Sequence, residues 1–96
     1  MIVKCISDLK LAIRQGPYAF PGGYPFYFIA GDGEPLSFKT VMDNFKLVAS
    51  AIKHQHDKQW EVVAMDVNWE EPALFCAHTN QRIESAYAEE DVVFSA

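Results

Sequence analysis

Apolar residues recur at three-and-four spacing through Phe38, Val41, Phe45, Val48 and Ile52, and this single stripe predicts the main helix, ending near residues 54–57. Ser37 precedes it, and Thr40-x-x-Asp43 offers a capping box slightly further in. A shorter helix is predicted over residues 7–15, with Ser7 or Asp8 as N-cap, apolar positions at Ile6, Leu9 and Ile13, and a stop at Gly16-Pro17. Between the two, residues 24–30 (YPFYFIA) are aromatic and β-prone. The Gly31-Asp32-Gly33-Glu34 step that follows predicts a hairpin with a short return strand around Leu36.

The second half of the chain changes period. Residues 60–69 (WEVVAMDVNW) place Val63, Met65, Val67 and Trp69 on one face of a strand and Trp60, Val62 and Ala64 on the other, which predicts a central strand covered on both sides over its first half. After Glu70-Glu71-Pro72, two short strands are expected at residues 74–78 and 82–87, joined by a turn at Thr79-Asn80-Gln81. The order of helix, hairpin, helix and three strands predicts an α+β domain. Its expected form is a small antiparallel sheet of about four to five strands with one long and one short helix on one face. Residues 1–96 read as one domain, with a stiff Gly/Pro/aromatic loop over 16–25 and a fraying acidic end over 89–96.

With 96 residues, half of them hydrophobic, the chain has enough apolar area for one core without disulfides or metal. Cys5 and Cys76 stand far apart and in no paired motif, so two free thiols are expected. No apolar run is long enough for a membrane span, and MIVKCISDLK lacks the continuous apolar stretch of a signal peptide, so a cytoplasmic location is expected.

Charge adds an asymmetry. Residues 1–59 carry +2 and residues 60–96 carry −7, within a net charge of −5. An acidic half repels phosphates and anionic headgroups, so neither direct nucleic-acid binding nor membrane binding is expected; a basic protein surface is the natural partner. The carboxylates concerned are Glu61, Asp66, Glu70, Glu71, Glu84, Glu89 and Glu90. Asp66, if buried beside Trp69, needs a donor such as Arg82 or a backbone amide. Six aromatics fall between residues 18 and 28; alternation sends Phe26 and Phe28 to the core and leaves Tyr24 and Tyr27 outside, and Tyr18, Tyr24 and Tyr27 are the candidate interface anchors.

His54, His56, Cys76 and His78 include residue types that bind zinc, but each pair is separated by one residue where structural sites use two to four. No metal or other cofactor is expected, Cys76 and His78 being the residues to watch. A Cys76-His78 nucleophile pair with Glu84 opposite requires the strand to bend, because alternate Cβ atoms on a strand stand about 7 Å apart. No catalytic residue is assigned.

At YAFPGGYPFYFIAGDG, DVNWEEP and LFCAHTNQRIESAYAE the chain resembles small accessory proteins encoded on proteobacterial plasmids and prophages, over roughly residues 16 to 91. The resemblance carries no activity with it; it implies a setting in which cargo serves transfer, maintenance or defence evasion. Together with the acidic half, it leads to the expectation of a non-catalytic protein-binding factor, a counter-defence protein of anti-CRISPR type acting on a nucleic-acid-binding host complex. The alternatives are a small metal-binding or catalytic domain using Cys76 and His78, and a homodimeric scaffold joined through an exposed sheet edge.

Overall fold

The structure, a computed structural model, describes residues 1–19, 23–69, 71 and 73–86. In chain order the elements are α1 (Ile6–Arg14), β1 (Tyr18–Ala19), β2 (Tyr24–Ala30), β3 (Pro35–Ser37), α2 (Phe38–Asp43), α3 (Phe45–His54) and β4 (Val62–Val67). The class is α+β, with a four-stranded antiparallel sheet. No helix among the described residues is long and apolar enough to cross a membrane.

β2 is the centre of the sheet. β4 takes one of its edges, from Phe26↔Val67 to Ala30↔Val62, while β3 pairs at Phe28↔Leu36 and β1 at Tyr18↔Pro25. The hairpin between β2 and β3 closes as the Asp-Gly step requires. Gly33 sits at φ 86, a left-handed conformation that a Cβ would strain, and the Asp32 side chain accepts from the Glu34 amide.

One irregularity in β4 decides which of its residues reach the core. Ile29 pairs with Ala64 and Ala30 with Val62, so Val63 is an extra residue in the ladder. The bulge resets the alternation, and Val62 joins Met65 among the buried residues. The expectation that Val62 and Met65 lie on opposite faces is thereby corrected.

The helical stripe is real but is carried by two helices. Asn44 leaves the helical region (φ −117, ψ 33), and its side chain donates to Thr40 O at 2.9 Å, so the chain turns between Asp43 and Phe45 while Val41, Val48 and Ile52 still reach one core. The N-cap of α2 is Ser37, whose Oγ accepts from the Thr40 amide at 3.1 Å. Thr40 itself is buried, not capping. For α1 the N-cap position falls on Cys5, and Asp8, inside the first turn, reaches back to the Lys4 amide at 2.9 Å. α2 lies over β2 and β3, α3 over β4, and α1 against α3. Phe28, Leu9, Met65, Val41, Val48 and Val62 are fully buried, each such side chain contributing about 1.5–3 kcal/mol.

The expected final hairpin is reduced to one bridge, Phe75↔Arg82, around a turn in which Asn80 takes φ 59. Residues 73–86 are fastened instead by scattered bonds. The Ala77 amide donates to Pro35 O at 2.9 Å, and the Ala86 amide to Asn68 O at 2.9 Å. At the sheet's other side the first residues pair with β4: Val3 N donates to Val63 O at 2.9 Å and Met65 N to Met1 O at 2.8 Å. The expected strand ending at residue 87 and the fraying end over 89–96 run into residues outside those described.

Candidate functional site

Two surfaces combine polar and aromatic groups, one at each end of β4. At the first, β2 begins beside the end of β4, and the Asn68 amide donates to Pro25 O at 3.1 Å. The buried side chain of Asn68 organises this end. The two hydrogens of its Nδ2 are shared among Glu71 O (3.0 Å), Glu84 O (3.2 Å) and Ile83 O (3.3 Å), and its Oδ1 accepts from the Glu71 amide (3.2 Å). Asn68 thus draws Glu71 and Glu84 to the same strand end.

The aromatic residues converge here as well. Tyr18 donates from its hydroxyl to Glu84 Oε2 at 2.8 Å, and the rings of Tyr24 and Trp69 lie with centroids 4.7 Å apart. Tyr27 faces Asp66 across the β2–β4 ladder. Burial raises the Tyr27 phenol above its ordinary range, and the Asp66 charge raises it further. Asp66 is exposed, and its Oδ1 accepts from the Val67 amide at 2.8 Å, so the question of a buried carboxylate does not arise. Tyr18 is 40% exposed and Trp69 46%. Phe28 is core, but Phe26 and Tyr27 are both half-buried and both pack against the core, and Tyr24 is half-buried as well, so the expectation that alternation leaves Tyr24 and Tyr27 outside is corrected.

Of the partner-binding residues expected from sequence, this end collects Tyr18, Tyr24, Tyr27, Asp66, Glu71 and Glu84. Glu61 is elsewhere, at the opposite end of β4, where it accepts from Lys58 Nζ at 2.9 Å. Glu70, Glu89 and Glu90 lie outside the described residues. Neither ion pair among the described residues, Lys58–Glu61 or Lys39–Asp43, uses Asp66, Glu71 or Glu84. The carboxylates are therefore divided between the two ends of the strand.

The opposite end holds what the sequence reading passed over. A cavity of about 340 Å³ opens between the β2–β3 turn and residues 59–60, lined by Asp32, Glu34, Leu36, Gln59, Trp60 and His78. The Trp60 and His78 rings meet there with centroids 4.8 Å apart and planes inclined by 60°. A turn-forming Asp and the Glu two residues on carry no sequence signal beyond the turn, and only the fold shows that Trp60 lines the same cavity.

Cys76 and His78 stand in different surroundings. The Cys76 sulfur is fully buried at 3.4 Å from Thr40 Oγ1, whereas His78 is exposed against Trp60. Burial raises the Cys76 pKa, but hydrogen bonds from the Thr40 side chain, the Ser37 backbone and the side chain and backbone of Thr79 outweigh it and bring the thiol down to about 6. His54 and His56 face each other at the end of α3, with ring centroids 5.9 Å apart. Among the described residues no group of three or more His, Cys, Asp or Glu is placed to hold a metal ion. Cys5 and Cys76 are both free. Comparison with protein-family models, curated proteins and solved structures found no match.

Proposed function

We propose that the chain is a non-catalytic, protein-binding accessory factor of a phage or plasmid that docks on a basic host surface normally occupied by nucleic acid, in the manner of an anti-CRISPR inhibitor. The observation that supports this reading most is the gathering of Tyr18, Tyr24, Tyr27 and Trp69 with Asp66, Glu71 and Glu84 at one end of the sheet. Large rings held by neighbouring groups bury area at low entropic cost, and carboxylates beside them select a cationic partner and repel nucleic acid. The mobile-element setting comes from the resemblance of residues 16–91.

The test uses a purified CRISPR effector complex loaded with guide RNA. The protein should co-elute with it and reduce its binding of target DNA in an electrophoretic shift. The effect should weaken as salt rises from about 0.1 to about 0.5 M, and the double variant Glu71→Lys/Glu84→Lys should lose it while keeping its circular dichroism. Inhibition that survives both the salt and the charge reversal removes the electrostatic basis of the reading.

A further inference from the structure

The cavity at the other end of β4 has three properties that together select a ligand. Its aromatic part is a corner, the Trp60 and His78 rings standing 4.8 Å apart with planes inclined at 60°. Leu36, almost fully buried, is an apolar residue of the lining. At the rim stand the carboxylates of Asp32 and Glu34, both exposed and neither used by the two ion pairs among the described residues. The nearby Lys58 does not serve them: its Nζ is given to Glu61 at 2.9 Å, and its stem runs against Gly31.

An anion entering here meets two carboxylates, which repel it. A neutral ring could stack on Trp60 but would cover the rim carboxylates without supplying donors, which costs free energy. A cation satisfies both parts, beside the electron-rich aromatic corner of Trp60 and His78 and through the carboxylates. Between cations, a guanidinium fits better than an ammonium, because it is planar, weakly hydrated and forked, and so stacks and bridges at once. The volume of about 340 Å³ is at the small end of ligand cavities and suits one side chain better than a cofactor. We propose that the cavity formed by Asp32, Glu34, Gln59, Trp60 and His78 is a guanidinium-binding site, taking the head group of an arginine.

This site is separate from the Asn68 end and does not depend on the function proposed above. The probes are N-acetyl-arginine amide, N-acetyl-lysine amide and the uncharged isostere N-acetyl-citrulline amide, each titrated into the full chain. The readouts are Trp60 fluorescence in a Trp69→Phe background and the amide chemical shifts of residues 32–34. The arginine probe should saturate with a dissociation constant on the order of a millimolar, the lysine probe should bind several-fold more weakly, and the citrulline probe should not saturate.

Asp32→Asn/Glu34→Gln keeps a turn-forming residue at position 32 and should weaken arginine binding by about tenfold or more. Because Trp60 packs against the core, its role is tested through the exposed neighbour: His78→Ala should weaken binding with an unchanged thermal midpoint. Glu71→Lys/Glu84→Lys should leave arginine binding intact, which separates failure of this site from failure of the docking surface. A peptide with internal arginine that binds more tightly than the free amide assigns the guanidinium to a protein, and the reverse order to a small molecule. Equal binding of citrulline, indifference to Asp32→Asn/Glu34→Gln, or shifts that bypass residues 32–34 would overturn the assignment.

Discussion

Replacing Asn68 by Ala tests how residue 71 and residues 73–86 are held in place. The side chain is 4% exposed and serves four backbone groups: its two Nδ2 hydrogens are shared among Glu71 O, Ile83 O and Glu84 O, and its Oδ1 accepts from the Glu71 amide. The groups of Glu71 and Glu84 lie near the surface, where water can replace the lost contacts, each then costing about 0.5–1.5 kcal/mol or less. Ile83 O is bonded in a buried setting, and leaving such an acceptor without a donor costs about 1–3 kcal/mol. With the three surface contacts taken at or below the low end of their range, the sum is about 2–4 kcal/mol, a large share of the roughly 5–15 kcal/mol available to a small domain. It corresponds to a fall of roughly 10–25 °C in the thermal midpoint.

Asn68→Asp is the sharper control, since it keeps the shape but turns a carboxylate oxygen toward three carbonyls. It should destabilise at least as much near neutral pH and recover partly in acid, where a protonated carboxyl can donate one hydrogen. Urea unfolding followed by tryptophan fluorescence and near-ultraviolet circular dichroism measures both variants. A lower midpoint at constant slope reports loss of global stability, while a shallower slope reports release of residues 71 and 73–86 alone. An Asn68→Ala cost below about 0.5 kcal/mol, or an Asp variant as stable as the parent, refutes the central role given to this side chain.

Gln55, which caps α3 at φ 53, should be improved by Gln55→Gly; relief of the left-handed strain is expected to add about 0.5–1 kcal/mol in thermal or urea unfolding, and no gain would show that the strain is negligible. Asp66→Asn removes a negative charge facing Tyr27, so the phenol should ionise at lower pH, read by tyrosinate absorbance. Because folding raises this pKa, its stabilisation is complete below the unfolded value and is lost as pH rises through the folded one; an unmoved titration would exclude the Asp66 contribution. Cys76 has the opposite sign: with the folded thiol near 6 and an ordinary value near 9, its contribution is full above the ordinary value and is lost as pH falls toward 6. Unfolding midpoints across that window should therefore rise with pH in the parent and lie flatter in Cys76→Ser, and parallel profiles would count against the hydrogen-bonded thiolate.

The parts of the fold that could be read from the chain are those in which local chemistry and tertiary packing agree. The 24–30 strand, the Asp-Gly turn and the return at Leu36 stand where the residues put them, because a single backbone geometry satisfies the turn and the alternation together. The helical stripe was legible in its burial and not in its continuity. Asn44 interrupts it without the Gly or Pro that announces a break, by lending its amide to the carbonyl of Thr40. The bulge at Val63 left no trace, since Val62 and Val63 are equally apolar and only the pairing with β2 distinguishes them. For the surfaces, the tyrosines and part of the acidic set were legible as residue types. Their division between two strand ends was not, because it depends on Asn68 bonding to residues 15 and 16 positions further on.

Two stretches of the sheet margin are occupied among the described residues, and this bears on how copies of the protein behave at high concentration. Along β4 the backbone groups of Val63 and Met65 already exchange bonds with Val3 and Met1, and on the far side the carbonyl of Pro35 receives the Ala77 amide. Unpaired strand margins are templates on which further chains add, as in fibrils and strand-swapped assemblies. At these two stretches an incoming strand must first displace residues 1–3 or peel away the segment containing Ala77, so edge addition there begins with local unfolding.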